Sequence, residues 1–222
     1  MKENDESRLQ EFLDKPERAL WSIALPVMAG MAIQTMYSIV DMLFIGQLGG
    51  DSITAVAFNM PLYFFVMGIT FGVGTGLTSS ISRAIGAKDK KRADNAAEHG
   101  LVIGLFLGLT LTIFGLILGK DVLSTLGAPD EMLDESWSYL RVTCYGMTFI
   151  VFAIVFRSIL AGEGDMKFPV AVAVIGTVLN VILDPIFIFN LERYGGFGLG
   201  MGVEGAALAS VVSQTLVFSI FV

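Results

Sequence analysis

Apolar runs of membrane length alternate with short polar or glycine-rich turns along this chain. The runs predict six helices, at about 19–45, 52–82, 93–118, 136–161, 168–190 and 203–222. Residues 1–17 read as a polar lead-in with a short amphipathic stretch around Leu9, Phe12 and Leu13, ahead of a membrane domain over 18–222. Pro26 predicts a bend in the first span, because it leaves the carbonyl of Ser22 without its helical donor. Pro61 breaks the second, whose Gly68, Gly72, Gly74 and Gly76 let another helix approach closely. Gly104, Gly108 and Gly115 do the same on the third. A basic loop (Arg83, Lys88, Lys90, Lys91, Arg92) follows the second span, an acidic connection over 119–135 follows the third, and a glycine-rich connection over 194–202 opens the sixth. The last run stops at Val222 without a flanking charge, aromatic belt or cap, which predicts a truncated chain.

Composition turns length into class. The chain is 54% hydrophobic and 16% charged, where a soluble domain carries about 25% charged residues. The expected fold is therefore an all-α membrane protein of six transmembrane helices. Lys2, Arg8, Lys15, Arg18, the five cations of the basic loop, Arg157 and Lys167 fall on one side; Lys120, Arg141 and Arg193 fall on the other. That asymmetry places the N-terminus in the cytoplasm of a multi-pass cell-membrane protein. A net charge of -7 argues against nucleic acid as a partner. Cys144 is the single cysteine, so neither an internal disulfide nor a cysteine zinc site can form.

Two carboxylates interrupt the apolar runs. Gln34, Tyr37, Ser38 and Asp41 are spaced to share one face of the first helix; Thr177, Asn180 and Asp184 share one face of the fifth. A carboxylate in a bilayer costs roughly 2.5–3.5 kcal/mol on insertion scales, so it survives where it faces protein, water or a partner. Both belong to the same half of the membrane and could face one cavity; an interfacial Asp41, close to its turn, is the bland alternative. Pro185 frees the carbonyl of Val181 beside Asn180 and Asp184, which makes an oxygen-rich cluster suited to a proton or a small hard cation such as Na+. His99 reads as a solvated helix-start residue. The second span's glycines are not followed by Gly-Lys-Ser/Thr, so they do not form a phosphate loop.

Pro26, Gln34, Tyr37, Val40-Asp41 and the string from Phe44 to Gly49 resemble the opening of multidrug and toxic compound extrusion (MATE) transporters. Pro61 with the glycine-rich second span, the loop Ser82–Ala87, the stretch Arg157–Asp165 and above all Asn180–Phe189 are similar to that family in order and spacing. The aspartate of the first span points to its DinF-like branch. The resemblance implies one six-helix lobe of a twelve-helix antiporter, with the C-terminal lobe missing. It implies export of cationic or amphipathic compounds in exchange for H+ or Na+, without an enzymatic step and with no cofactor beyond the coupling ion. The cation site it implies is Asp41, Asn180 and Asp184, with Gln34, Tyr37, Thr177 and Pro185 in support and a sixth-helix hydroxyl for which Ser210 is the candidate.

Three other readings compete with this one. A lipid-linked oligosaccharide flippase of the same superfamily would line its cavity with several basic residues, and spans one, two, three and five carry none in their interiors. An intramembrane aspartyl protease could be drawn from Asp41, Asp184 and the string Gly162–Asp165, but Asp165 lies in a charged turn at the opposite face from Asp41. A half that pairs with a second copy would also account for the length.

Overall fold

The computed structural model describes residues 16–190 and 198–221, and over them the chain is an all-α membrane lobe. Its helices are α1 (Pro16–Gly46), α2 (Gly50–Ala57), α3 (Met60–Gly86), α4 (Lys90–Thr125), α5 (Asp130–Gly162), α6 (Lys167–Ile188) and α7 (Val203–Phe221). Six spans result, with α2 and α3 together forming the second. The lead-in around Leu9, Phe12 and Leu13, part of the 194–202 connection and Arg193 lie outside the described residues.

Where boundaries differ from expectation, helices reach further into the polar connections. Lys90, Lys91 and Arg92 form the first turn of α4 rather than a loop, and Arg83 is in the last turn of α3. Asp89 accepts from the Arg92 N–H at 3.0 Å and so caps α4 at a lysine-rich start that hydropathy alone reads as loop. The acidic connection shrinks likewise: α4 runs to Thr125 and α5 starts at Asp130, whose acidic first turn suits a helix N-terminus. α1 continues as one helix through position 26.

α5 is the hub, packed against α2, α3, α4 and α7, while α1 leans on α6, α2 and α7. The α4–α5 seam rests on glycines at four- and seven-residue spacings. A β-carbon at Gly104 would stand 2.9 Å from Val155, and one at Gly108 2.9 Å from the Cα of Thr148. Gly115 meets Cys144, and Gly119 meets Trp137 and Leu140. Lipid gives apolar helices no hydrophobic reason to associate, so such close approach is what holds them together. Thr112 stitches the seam, donating to the Cys144 carbonyl at 3.2 Å.

Pro61 falls in the first turn of α3, where its missing N–H costs nothing, and it marks the α2–α3 break. Asn59 sits in the break and donates to the carbonyls of Ala55 at 3.1 Å and Ser136 at 3.2 Å, tying it to α5. The far end of α6 is closed differently. Backbone N–H groups of Leu199, Gly200, Met201 and Gly202 donate to the carbonyls of Ile186, Phe189, Phe187 and Ile188 at 2.8–3.1 Å. Gly200 (φ +63°) and Gly202 (φ +59°) adopt the left-handed backbone this return requires. Gly205, whose β-carbon would strike the Phe187 carbonyl, lets α7 start directly beside α6. The glycine-rich stretch therefore caps α6 and aims α7 along it.

Candidate functional site

That docking brings together polar residues far apart in sequence. Asn180 and Asp184, one turn apart on α6, are 1% and 0% exposed. With the Asn180 amide oriented to satisfy both its ends, its nitrogen donates to Asp184 Oδ2 at 3.0 Å. Its oxygen then accepts from the Ser210 backbone N–H at 3.1 Å. The Ser210 hydroxyl stands 2.7 Å from the phenol oxygen of Tyr37 on α1. One chain of hydrogen bonds thus runs from α1 through α7 to α6, ending on a buried carboxylate.

Asp41 joins this cluster by charge and not by hydrogen bond. It lies near enough for its field to act on Asp184, Tyr37 and Tyr139. Its Oδ1 is buried without a hydrogen-bond partner among the described residues, and so is Oδ1 of Asp184. A carboxylate oxygen left bare in a low-dielectric interior is costly, and a proton or a cation would complete it. Each such oxygen has the chemistry to take up a proton or to help hold a small hard cation.

Two cavities meet at this cluster. One of about 290 Å³ includes Thr177, Asn180 and Ser210 in its walls; the other, about 430 Å³, includes Ser38, Asp41 and Tyr139. Gln34, Tyr37 and Ser210 line both. The face read on α1 therefore looks into the cavities, and on α6 Thr177 and Asn180 do so while Asp184 lines neither. Pro185 lies within α6, half-buried, and lines neither cavity. Asp184 is partnered by Asn180, and the structure gives it no bond to the Val181 carbonyl.

Residues that the pattern did not flag also stand here. Tyr139 adds a phenol from α5 beside the two aspartates, and Tyr63 and Gln214 line both cavities. Arg157 enters the smaller cavity from α5; its place five residues before the end of a long helix was the available signal. Asp165 has a plain structural task, accepting from the N–H groups of Lys167 and Phe168 at 3.0 and 3.2 Å to cap α6. It stands 19 residues from Asp184 on the chain, about 28 Å along a helix, so the two cannot share a catalytic water.

The sequence profile of the MatE family matches residues 26–186. The chain is similar to "Probable multidrug resistance protein YoeA" of Bacillus subtilis (strain 168), 29% identical over 98% of this chain and 47% of that protein. It is also similar to the "FAD transporter" of Shewanella oneidensis, 28% identical over 91% of this chain and 44% of the relative. A crystal structure of MATE in the bent conformation superposes with a TM-score of 0.85 at 37% identity, covering 96% of this chain and 46% of the other. This chain spans about half the length of each. With a family profile over most of its spans and a solved relative that matches its helices, the chain belongs to the MatE family and corresponds to the N-terminal lobe of a MATE transporter.

Proposed function

We propose that the lobe serves a secondary antiporter that exports cationic or amphipathic compounds in exchange for H+ or Na+, with Asp41, Asn180 and Asp184 binding the coupling ion. The observation that carries this reading is the pair of buried, unpartnered carboxylate oxygens: Asp41 lines the larger cavity, and Asp184 is bonded to Asn180, which lines the smaller. Asp184 holds the ion, Asn180 fixes its carboxylate, and Tyr37 and Ser210 link that state to α1 and α7. Asp41 supplies a second charge, so binding one cation relieves two like charges at once. The remaining lobe supplies the facing wall of the substrate cavity, and no cofactor takes part. Eleven of the fourteen Lys and Arg residues lie on the side assigned to the cytoplasm, which supports a cytoplasmic N-terminus.

Two names among the relatives support the cargo class: one is a probable multidrug resistance protein and one carries FAD, a large amphipathic molecule. A lipid-linked oligosaccharide flippase is disfavoured, because among the described residues Arg157 is the one basic side chain in the walls of the two cavities.

The test is dye efflux from proteoliposomes holding the protein expressed from the complete gene, under an imposed pH gradient and, separately, an imposed Na+ gradient. Asp184→Asn and Asp41→Asn should both bring efflux to background while the protein still inserts and melts as before, since an amide cannot carry the charge. Asp184→Glu should keep part of the activity. Unchanged efflux in both asparagine variants would sink the shared ion site. The 222-residue chain alone should insert and move no dye; robust transport by it would mean that it pairs with itself.

A further inference from the structure

The smaller cavity carries one charged side chain, and it is a cation. The Arg157 guanidinium stands 5.6 Å from the ring centroid of Phe71 on α3. Among the described residues it has no salt bridge and no hydrogen bond. Arg157 lies five residues from the end of α5 and is exposed in this lobe, yet it lines the cavity with no partner for its charge among the described residues. An ionisable residue so placed in a membrane helix is a functional-site candidate. The ring attracts the cation without using its N–H donors, which leaves the guanidinium fork free to hold an oxyanion with two parallel bonds.

A second open group lies along the same wall. Ser213 on α7 is 2% exposed, and its Oγ has no hydrogen-bond partner among the described residues. Phe156, next to Arg157, stacks on Phe221 with centroids 5.7 Å apart, which sets the level of Arg157 against α7. Ser213 is eight residues from Phe221, about 12 Å along the helix. The walls of the same cavity also include the rings of Tyr63, Phe64 and Phe71. Among the described residues no carboxylate lines this cavity to compete for the guanidinium.

We propose that Arg157 makes this end of the cavity an oxyanion subsite, so that the lobe takes planar aromatic acids, with the acid group on Arg157 and the ring system reaching toward Ser213. The inference rests on the transport reading for its purpose, but the subsite itself is read by binding alone. A carboxylate, sulfonate or phosphate on a flat aromatic body has the required chemistry; a phospholipid headgroup shares the anion and lacks the body.

Fluorescein and rhodamine 6G are suitable probes, sharing a xanthene body and differing in charge. Binding of each is measured by fluorescence polarisation to the protein expressed from the complete gene, in phosphatidylcholine nanodiscs with no gradient. Fluorescein should bind saturably, and Arg157→Gln should weaken it roughly tenfold or more, the usual worth of a charge-assisted hydrogen bond. Rhodamine 6G should bind the variant as well as before, or better. Arg157→Lys should recover part of the fluorescein affinity, and Ser213→Ala should weaken fluorescein severalfold. Equal weakening of both dyes would make Arg157 structural and overturn the proposal. So would unchanged fluorescein binding, which is also the result expected if a carboxylate elsewhere in the full-length protein neutralises the guanidinium. Displacement of fluorescein when phosphatidylglycerol is added to the nanodiscs, with affinity otherwise insensitive to the xanthene body, would assign the subsite to lipid and likewise overturn it. A protein that binds fluorescein through Arg157 but moves no dye under any gradient keeps the subsite and loses the antiporter reading.

Discussion

The α4–α5 seam and the wall formed by α1, α6 and α7 are all built from helices apolar enough to span a membrane and end up as opposites. In the seam, glycines bring two backbones together, Thr112 finds a carbonyl, and Val151 and Val155 are fully enclosed. In the wall, α1 touches its neighbours sparingly, and Oδ1 of Asp41, Oδ1 of Asp184 and Oγ of Ser213 have no partner among the described residues. The two other such atoms among the described residues are Oδ1 of Asn59, at the α2–α3 break, and Oγ of Ser136, on the stretch of α5 that Asn59 reaches. The contrast follows from the solvent. Where helices have only dispersion and hydrogen bonds to hold them, a seam that satisfies every group is rigid, and a wall that leaves oxygens open is where an ion and a motion can be accommodated.

The largest effect should come from damaging the seam. A side chain at Gly108 would drive against the Thr148 Cα, which is backbone and cannot rotate away. Gly108→Val should cost more than the 1–3 kcal/mol typical of overpacking and remove the monodisperse peak on size-exclusion chromatography. Gly76→Ala, where a β-carbon meets open space, should leave the peak intact and gain up to about 1 kcal/mol from helix propensity. If both variants behave alike, close approach is not what makes the seam rigid.

On the wall, Asn180→Ala removes the donor that fixes Asp184 and leaves both carboxylate oxygens bare. Losing a hydrogen bond to a buried charge costs about 1.5–3 kcal/mol. Gradient-driven efflux should fall by one to two orders of magnitude while the melting temperature changes by a few degrees at most. A large drop in melting temperature with efflux preserved would reverse the comparison, making the wall a structural element. Ser210→Ala, which removes only the hydroxyl that Tyr37 meets, should have a smaller effect in the same direction.

Much of this was legible in the sequence, and what was not has a physical reason. Membrane helices announce themselves by length and apolarity, so all six spans and the facing of Gln34, Tyr37 and Asp41 followed from spacing. The ends did not, because capping by Asp89 and the acidic first turn at Asp130 extend helices into stretches that hydropathy assigns to loops. Ser210 entered through the family resemblance, since a serine in an alanine-rich helix carries no signal of its own. Its meeting with Asn180 depends on the return of 199–202 over the end of α6, a pairing of backbone groups that leaves only glycines as its trace. Tyr139 and Arg157 were hidden because α5 is polar at its start and apolar within, and sequence does not say which side faces the cavities.

Pro185 offers a gentler probe of the wall. It sits one residue after Asp184 inside α6 and cannot donate to the Val181 carbonyl, so the turn bends at lower cost than an intact one. One reading couples that bend to the charge on Asp184: a neutral acid can donate to the freed carbonyl, and a charged one is repelled by it. The other makes Pro185 a fixed kink that neighbouring groups repair. Pro185→Ala restores a donor worth about 0.5–1.5 kcal/mol and should raise the melting temperature slightly. Under the first reading it slows efflux severalfold while dye binding is unchanged, both measured on one preparation. Normal efflux with normal binding leaves the proline structural and confines coupling to the side chains.

The smallest effect is expected where the seam's hub and the wall are joined at the surface. Arg141 on α5 reaches Glu204 on α7 at 3.3 Å, so the contact looks like a clamp between the rigid and the open parts of the lobe. Its chemistry argues otherwise. Both side chains are substantially exposed, at 47% and 33%, and ion pairs of that kind contribute about 0–1 kcal/mol once solvent screening and side-chain ordering are counted. Lys120 and Asp134 make a shorter pair, 2.7 Å, that joins α4 to α5 on the seam alone and is more exposed still. Arg141→Gln and Lys120→Gln should therefore each shift the melting temperature by no more than a degree or two, with efflux unaltered in both. Raising the salt concentration should erase whatever difference remains. A substantial loss of efflux in Arg141→Gln, with Lys120→Gln silent, would show that α7 is coupled to α5 through this surface pair. The wall would then be held from outside the membrane, where the seam is held from within it.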